Sequence, residues 1–155
     1  MKILLCRIGA ALALSLAAIA CFSPEDQRPG LHLTGEPVAI PADWSFSNDY
    51  KQIAVEVQTP YLLPHSVTIW CAEVDGVLYI GARNPESKRW PGWVDADPEV
   101  RLKIGERLYE VKLIPLDQPE RIDRLRQAYA AKYELPDTSP GEGPPIRYWQ
   151  VTPRI

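Results

Sequence analysis

Residues 83–90 read Arg-Asn-Pro-Glu-Ser-Lys-Arg-Trp and form the densest polar cluster in the chain. Arg83, Lys88 and Arg89 supply three cations and Ser87 a hydroxyl, directly after an apolar run with the look of a strand. Cations and a hydroxyl at a strand end suit a phosphate, because each charge-assisted hydrogen bond contributes about 1.5–3 kcal/mol. A solvated basic loop has the same composition, so charge by itself leaves both readings open. Trp90 and Trp93 follow, and either stacking on a flat ligand or packing beneath the loop suits them. His65, before an apolar run, reads as a surface-loop residue able to donate a proton. His32 lies in a polar segment and reads as inert. Cys71 alternates with Ile69 on an apolar face and reads as a buried, unreactive thiol. Asp95 and Asp97 read as turn caps. No second histidine or cysteine stands at metal-ligand spacing, so no metal site is expected. There is no nucleophile elbow, phosphate-loop glycine motif or dinucleotide fingerprint.

The elements that must position these residues are mostly strands. Ile53, Val55 and Val57 alternate with Ala54, Glu56 and Gln58, the period of a half-buried strand. Runs at 67–74 and 77–82 flank Asp75-Gly76, a strong signal for a tight hairpin. Residues 100–104 and 108–114 form a second hairpin through Gly105-Glu106, with Val100, Leu102 and Ile104 on one face and Arg101 and Lys103 on the other. Residues 38–40 and 146–151 add outer strands, and Trp70 and Trp149 lie within strands as core residues. Asp117 with Glu120 reads as a capping box that opens a helix. Ile122, Leu125, Tyr129 and Tyr133 then recur at helical spacing as its core face. Pro91 and Gly92 favour a loop between Trp90 and Trp93.

The N-terminus carries its own signal. Residues 8–20 are uncharged and follow Lys2 and Arg7. Thirteen residues rise about 20 Å as a helix, short of the ~30 Å hydrocarbon core, so a signal peptide over 1–20 is expected. The run ends Ala18-Ile19-Ala20-Cys21, which resembles a bacterial lipobox and marks Cys21 for lipidation. Residues 21–35, with Pro24, Pro29, Gly30 and Gly35, read as a lipidated tether, leaving 36–155 as the folded domain. The expected location is the bacterial cell envelope, lipid-anchored and facing the periplasm. Phe22 after the cysteine points to the outer membrane.

Composition bounds the rest. The chain has 155 residues, 46% hydrophobic and 24% charged, enough for one globular domain. Loss of the signal removes Lys2 and Arg7 from the 17 basic residues and none of the 20 acidic ones, deepening the net charge of -3 to -5. That argues against a nucleic-acid partner. With Cys6 removed and Cys21 lipidated, Cys71 has no disulfide partner.

The order of elements over residues 52–133 carries a resemblance. A strand, Asp75-Gly76 and a strand ending at Arg83 lead to Ser87-Lys88-Arg89. Ala-Asp-Pro-Glu-Val-Arg-Leu-Lys-Ile-Gly follows at 96–105, then Arg-Leu-Tyr-Glu-Val at 107–111 and a helix. This resembles the flavin-binding split barrels, the pyridoxamine-phosphate-oxidase-like proteins and their deazaflavin-dependent nitroreductase-like relatives. The fold it implies is mainly β (α+β), a six-stranded antiparallel split β-barrel with one C-terminal amphipathic helix. It implies an oxidoreductase using FMN or a deazaflavin, passing a hydride to a small organic substrate. Carried over, Arg83, Ser87 and Lys88 would hold the flavin phosphate, with Arg89 as an addition. Thr68, Ile69 and Trp70 would pack the ring, and their backbone would bond its edge. Such proteins are usually homodimers with a flavin in each of two interfacial clefts. Some relatives bind haem, which makes His65 a candidate ligand. A cofactor-free barrel serving as an interaction module is the remaining alternative.

Overall fold

The computed structural model describes residues 30–136 and 143–154. The elements run β1 (Glu36–Pro37), β2 (Ile53–Gln58), β3 (Pro64–Ile69), β4 (Cys71–Val74), β5 (Val77–Arg83), α1 (Trp90–Ala96), β6 (Glu99–Ile104), β7 (Arg107–Pro115), α2 (Pro119–Tyr133) and β8 (Ile146–Pro153). The sheet order is β3-β2-β6-β7-β8-β5-β4, with β1 alongside β7. The two ends of that path, β3 and β4, are consecutive in the chain and separated only by Trp70. One residue therefore closes the sheet into a barrel. Mostly antiparallel pairing is the expected α+β class, with eight strands and two α-helices among the described residues where six strands and one helix were expected.

Alternation fills the interior. Val55 pairs with Leu102, Leu102 with Tyr109, Leu113 with Val151 and Ile80 with Trp149, and all lie in one buried cluster. Each such aliphatic side chain contributes roughly 1.5–3 kcal/mol by leaving water. The Asp75-Gly76 turn has positive φ at both residues, 54° and 79°, the conformation a two-residue hairpin needs and glycine takes without strain. The single run expected over 67–74 is instead two strands broken at Trp70, which is 40% exposed rather than core. The outer strand expected at 38–40 lies earlier, at β1, although the Val38 amide still donates to the Leu108 carbonyl.

Helix α2 covers the barrel's outside. Leu125 and Tyr129 are buried with Ala72, Tyr79 and Tyr148, and Ile122 and Tyr133 pack at the margin, as the spacing implied. Its start differs from the capping-box reading. The N-cap is Gln118 with no side-chain bond, because Pro119 fixes the first helical φ and holds the preceding residue extended. Among the described residues no helix is long and apolar enough to cross a membrane.

The α2 tyrosines give the fold a pH dependence. The Tyr129 hydroxyl donates to the Trp70 carbonyl at 3.1 Å. The Tyr133 oxygen accepts from the Cys71 amide at 3.0 Å and lies within bonding distance of the Lys51 and Cys71 carbonyls. Burial pushes Tyr129, Tyr133 and Tyr148 above the ordinary phenol value. The unfolded chain therefore releases these protons first. Stability that is complete below about pH 10 is lost as pH rises further, by up to about 1.4 kcal/mol per pH unit for each tyrosine held neutral. The urea midpoint should fall between pH 9 and 11, and Tyr129→Phe should shallow that fall. A midpoint flat to pH 11 would refute the linkage.

Candidate functional site

Strand β5 ends at Arg83, paired with Ile146 of β8. Asn84 then turns the chain through a left-handed conformation, φ 51°, which asparagine tolerates, and its amide donates to the Pro145 carbonyl at 2.8 Å. A 3-10 turn over Pro85–Ser87 follows, closed by the Ser87 amide and hydroxyl, both on the Asn84 carbonyl at 3.0 and 2.7 Å. Donation from Ser87 to a ligand would require its hydroxyl to rotate away from that carbonyl. Arg83, Lys88 and Arg89 are exposed. Among the described residues none of the three has a carboxylate partner, whereas Arg101, Lys103, Arg124, Arg147 and Arg154 are all paired.

Residues 90–93 are helical, not the loop expected from Pro91 and Gly92. Proline is tolerated in the first turn, where its missing N–H has no partner to lose. Trp90 is 4% exposed with its ring 5.2 Å from Trp149, so it is core and not a ligand platform. A two-pronged ion pair from Arg147 to Asp95, at 2.8 and 2.5 Å, fastens α1 to β8. Asp97 caps the next turn through the Glu99 amide, as expected.

The other residues expected at the site lie at the β3–β4 break. Antiparallel pairing of β4 with β5 stops at Cys71 against Ile80, and β3 departs to pair with β2. Continuing the β4–β5 register past the break would set Thr68 level with Arg83, and β3 still touches β5. Beyond Cys71 the two segments part, and residues 68 and 69 follow β2 instead. Thr68 is half-buried and paired with Ala54, and Ile69 turns into the core. Trp70 stacks on Tyr133 at 4.4 Å and 10°.

His65 is not in a loop. It sits in β3 opposite Val57, half-buried, with its ring edge-on to Trp93 at 5.3 Å. Tyr61 meets the same tryptophan at 6.1 Å. The sequence offered His65 and Trp93 separately; the fold brings them together. Cys71 is fully buried, and its sulfur lies 3.4 Å from the Lys132 ammonium. Burial raises its pKa, and the attraction of Lys132 opposes this only in part, so the thiol stays protonated.

A second polar centre was missed. Glu56, 8% exposed, accepts from the Leu33 amide at 2.5 Å and from Arg101 at 2.9 Å, with His32 at 3.5 Å. His32 is therefore part of a charged cluster rather than a bystander. These groups border an open cleft of about 270 Å³ that continues to Glu99, Glu110 and Arg154. The available signal was a lone carboxylate in an otherwise apolar alternating run. Residues 30–35 of the segment read as tether lie on the barrel, with Gly30 paired to Ser66 and Leu33 buried against Ala54 and Leu108. Among the described residues no three His, Cys, Asp or Glu side chains gather for a metal. Cys21 and the signal region lie outside the described residues.

Residues 47–141 match a family described as "Uncharacterized protein conserved in bacteria (DUF2255)". No curated protein matches the chain. Among solved structures, the conserved hypothetical protein Rv2991 of Mycobacterium tuberculosis is similar at a TM-score of 0.56 and 17% identity, covering 71% of this chain and 77% of that one. A Listeria innocua protein described as "Putative Pyridoxamine 5'-phosphate oxidase" matches at 0.54 and 11%, covering 72% and 90%. An F420 reductase matches at 0.50 and 19%, covering 75% and 97%. At these identities the likeness concerns the fold alone, a mostly antiparallel split barrel.

Proposed function

Because the chain belongs to this bacterial family and folds as a split barrel, we propose that it is an envelope-tethered oxidoreductase using a flavin-type cofactor, FMN or a deazaflavin. The observation that carries this is the uncompensated charge of Arg83, Lys88 and Arg89 at and just beyond the end of β5. A phosphate there meets two or three cations that no described carboxylate neutralises, while a flat ring can lie toward the Thr68–Trp70 backbone. When bound, the cofactor supplies the hydride chemistry. The protein's own part is to anchor the phosphate, set the ring's orientation and line the substrate side. His65 and Trp93 are the candidates for that lining, with a small organic molecule as substrate. The working unit in this proposal is a homodimer, held at the periplasmic face of an envelope membrane by lipid on Cys21.

The competing reading is a cofactor-free interaction module, and the Ser87 hydroxyl already engaged by its own turn favours it. The test is a titration of the detergent-solubilised chain with FMN, an F420-type deazaflavin and haem, read by visible spectrum. Saturable binding of either flavin supports the proposal. Binding of haem alone, with a spectrum altered by His65→Ala, moves the cofactor to iron. A folded dimer that binds none of the three is the module.

A further inference from the structure

The four large apolar side chains most open to water among the described residues are three at one hairpin tip and one beside the Gly30–Ser66 bridge. Tyr61, Leu62 and Leu63 are 58%, 83% and 56% exposed at the tip of the β2–β3 hairpin, and Leu31 is 64% exposed. The tip is built, not slack. Thr59 is buried, its hydroxyl donates to the Leu63 carbonyl at 2.6 Å, and the Leu62 amide donates to the Thr59 carbonyl at 3.1 Å. These bonds hold Leu62 at φ 62°, a left-handed conformation that branched side chains disfavour. The outcome of that strain is a display of apolar side chains. Residues 59–63 carry no charge, and Pro60 and Pro64 stiffen the loop.

The chain's own path says what covers the tip. The N-terminal segment joins the barrel where Gly30 bonds to Ser66, both amides donating across at 2.9 and 2.8 Å, three residues beyond Leu63. Only eight residues separate Gly30 from Cys21, a span of about 30 Å when extended. A lipid on Cys21 would keep this end of the barrel near the bilayer, and the opposite end, at the Gly105-Glu106 turn, away from it. We infer that the β2–β3 tip is a membrane-contact element, inserting Leu62, Leu63 and the Tyr61 ring into the lipid interface beside the anchor. Tyrosine suits that depth, since its ring is apolar and its hydroxyl reaches water. The inference rests on the reading of Cys21 as lipidated.

The test uses the full chain in vesicles of phosphatidylethanolamine and phosphatidylglycerol. A nitroxide is placed at Leu62→Cys, at Leu63→Cys as a second tip site, and at Glu106→Cys as the remote control. Relaxation by oxygen, which partitions into lipid, is compared with relaxation by a water-soluble nickel complex. The expected result is an oxygen-to-nickel accessibility ratio at 62 and 63 several-fold above that at 106. Tip positions as open to nickel as 106 would overturn the inference, as would positions closed to both reagents, which means burial against a second copy. The mass of the N-terminal peptide separates the two failures. A lipidated Cys21 with a wet or protein-buried tip sinks the contact alone, whereas an unmodified Cys21 sinks the anchor and the contact with it.

Discussion

Replacing Arg83 and Lys88 together by alanine should weaken flavin binding by about a hundredfold or more while leaving the unfolding midpoint unchanged. Two charge-assisted hydrogen bonds contribute about 3–6 kcal/mol together, and each 1.4 kcal/mol is tenfold in affinity. The exposure of both side chains places the effect at the lower end of that range. Stability should be untouched, because neither side chain is buried and neither is paired with a described carboxylate. Arg107→Ala makes the control, being an exposed cation at the far end of the barrel with no described ion pair. A fall common to both variants would report general charge attraction. Unchanged affinity in a folded double variant would remove the phosphate from this strand end.

Whether the sequence discloses such a site depends on the range over which its cause acts. The Asp75-Gly76 and Gly105-Glu106 hairpins were readable because turn conformation is decided by adjacent residues. The strand end at Arg83 follows from the first of them by counting. The break at Trp70 was not readable, since apolar character runs straight through residues 67–74. What splits them is the choice of partner, β2 before the break for β3 and β5 after it for β4, which the apolar pattern of the run itself does not record. The helix at Trp90 was missed for a different reason. Pro91 and Gly92 weaken an isolated helix, but burial of Trp90 and Val94 and the Arg147–Asp95 pair outweigh that preference. The contact between His65 and Trp93 has no local trace, because it exists only once α1 packs across β2.

Glu56→Ala should be among the most destabilising single substitutions, at about 3 kcal/mol. Its carboxylate is the shared acceptor for the Leu33 amide and the Arg101 guanidinium, and it leaves both without their charge partner when removed. Breaking a buried ion pair from one side costs roughly 3–5 kcal/mol, and the residual solvent access of Arg101 brings the figure to the low end. Substituting both partners, Glu56→Leu with Arg101→Met, should recover much of the loss, since no charge is then stranded. The local consequence is more informative than the global one. Leu33 is held by that carboxylate and by its own carbonyl, which accepts from Arg101 at 2.7 Å. Hydrogen exchange at the Leu33 amide should therefore accelerate in Glu56→Ala more than exchange in β6 and β7. Residues 30–35 would then join the tether and lengthen the reach from Cys21, so the same substitution should lower the lipid accessibility of the β2–β3 tip. Equal protection of Leu33 in both proteins would mean that burial against Ala54 and Leu108, and not the carboxylate, fixes where the barrel begins.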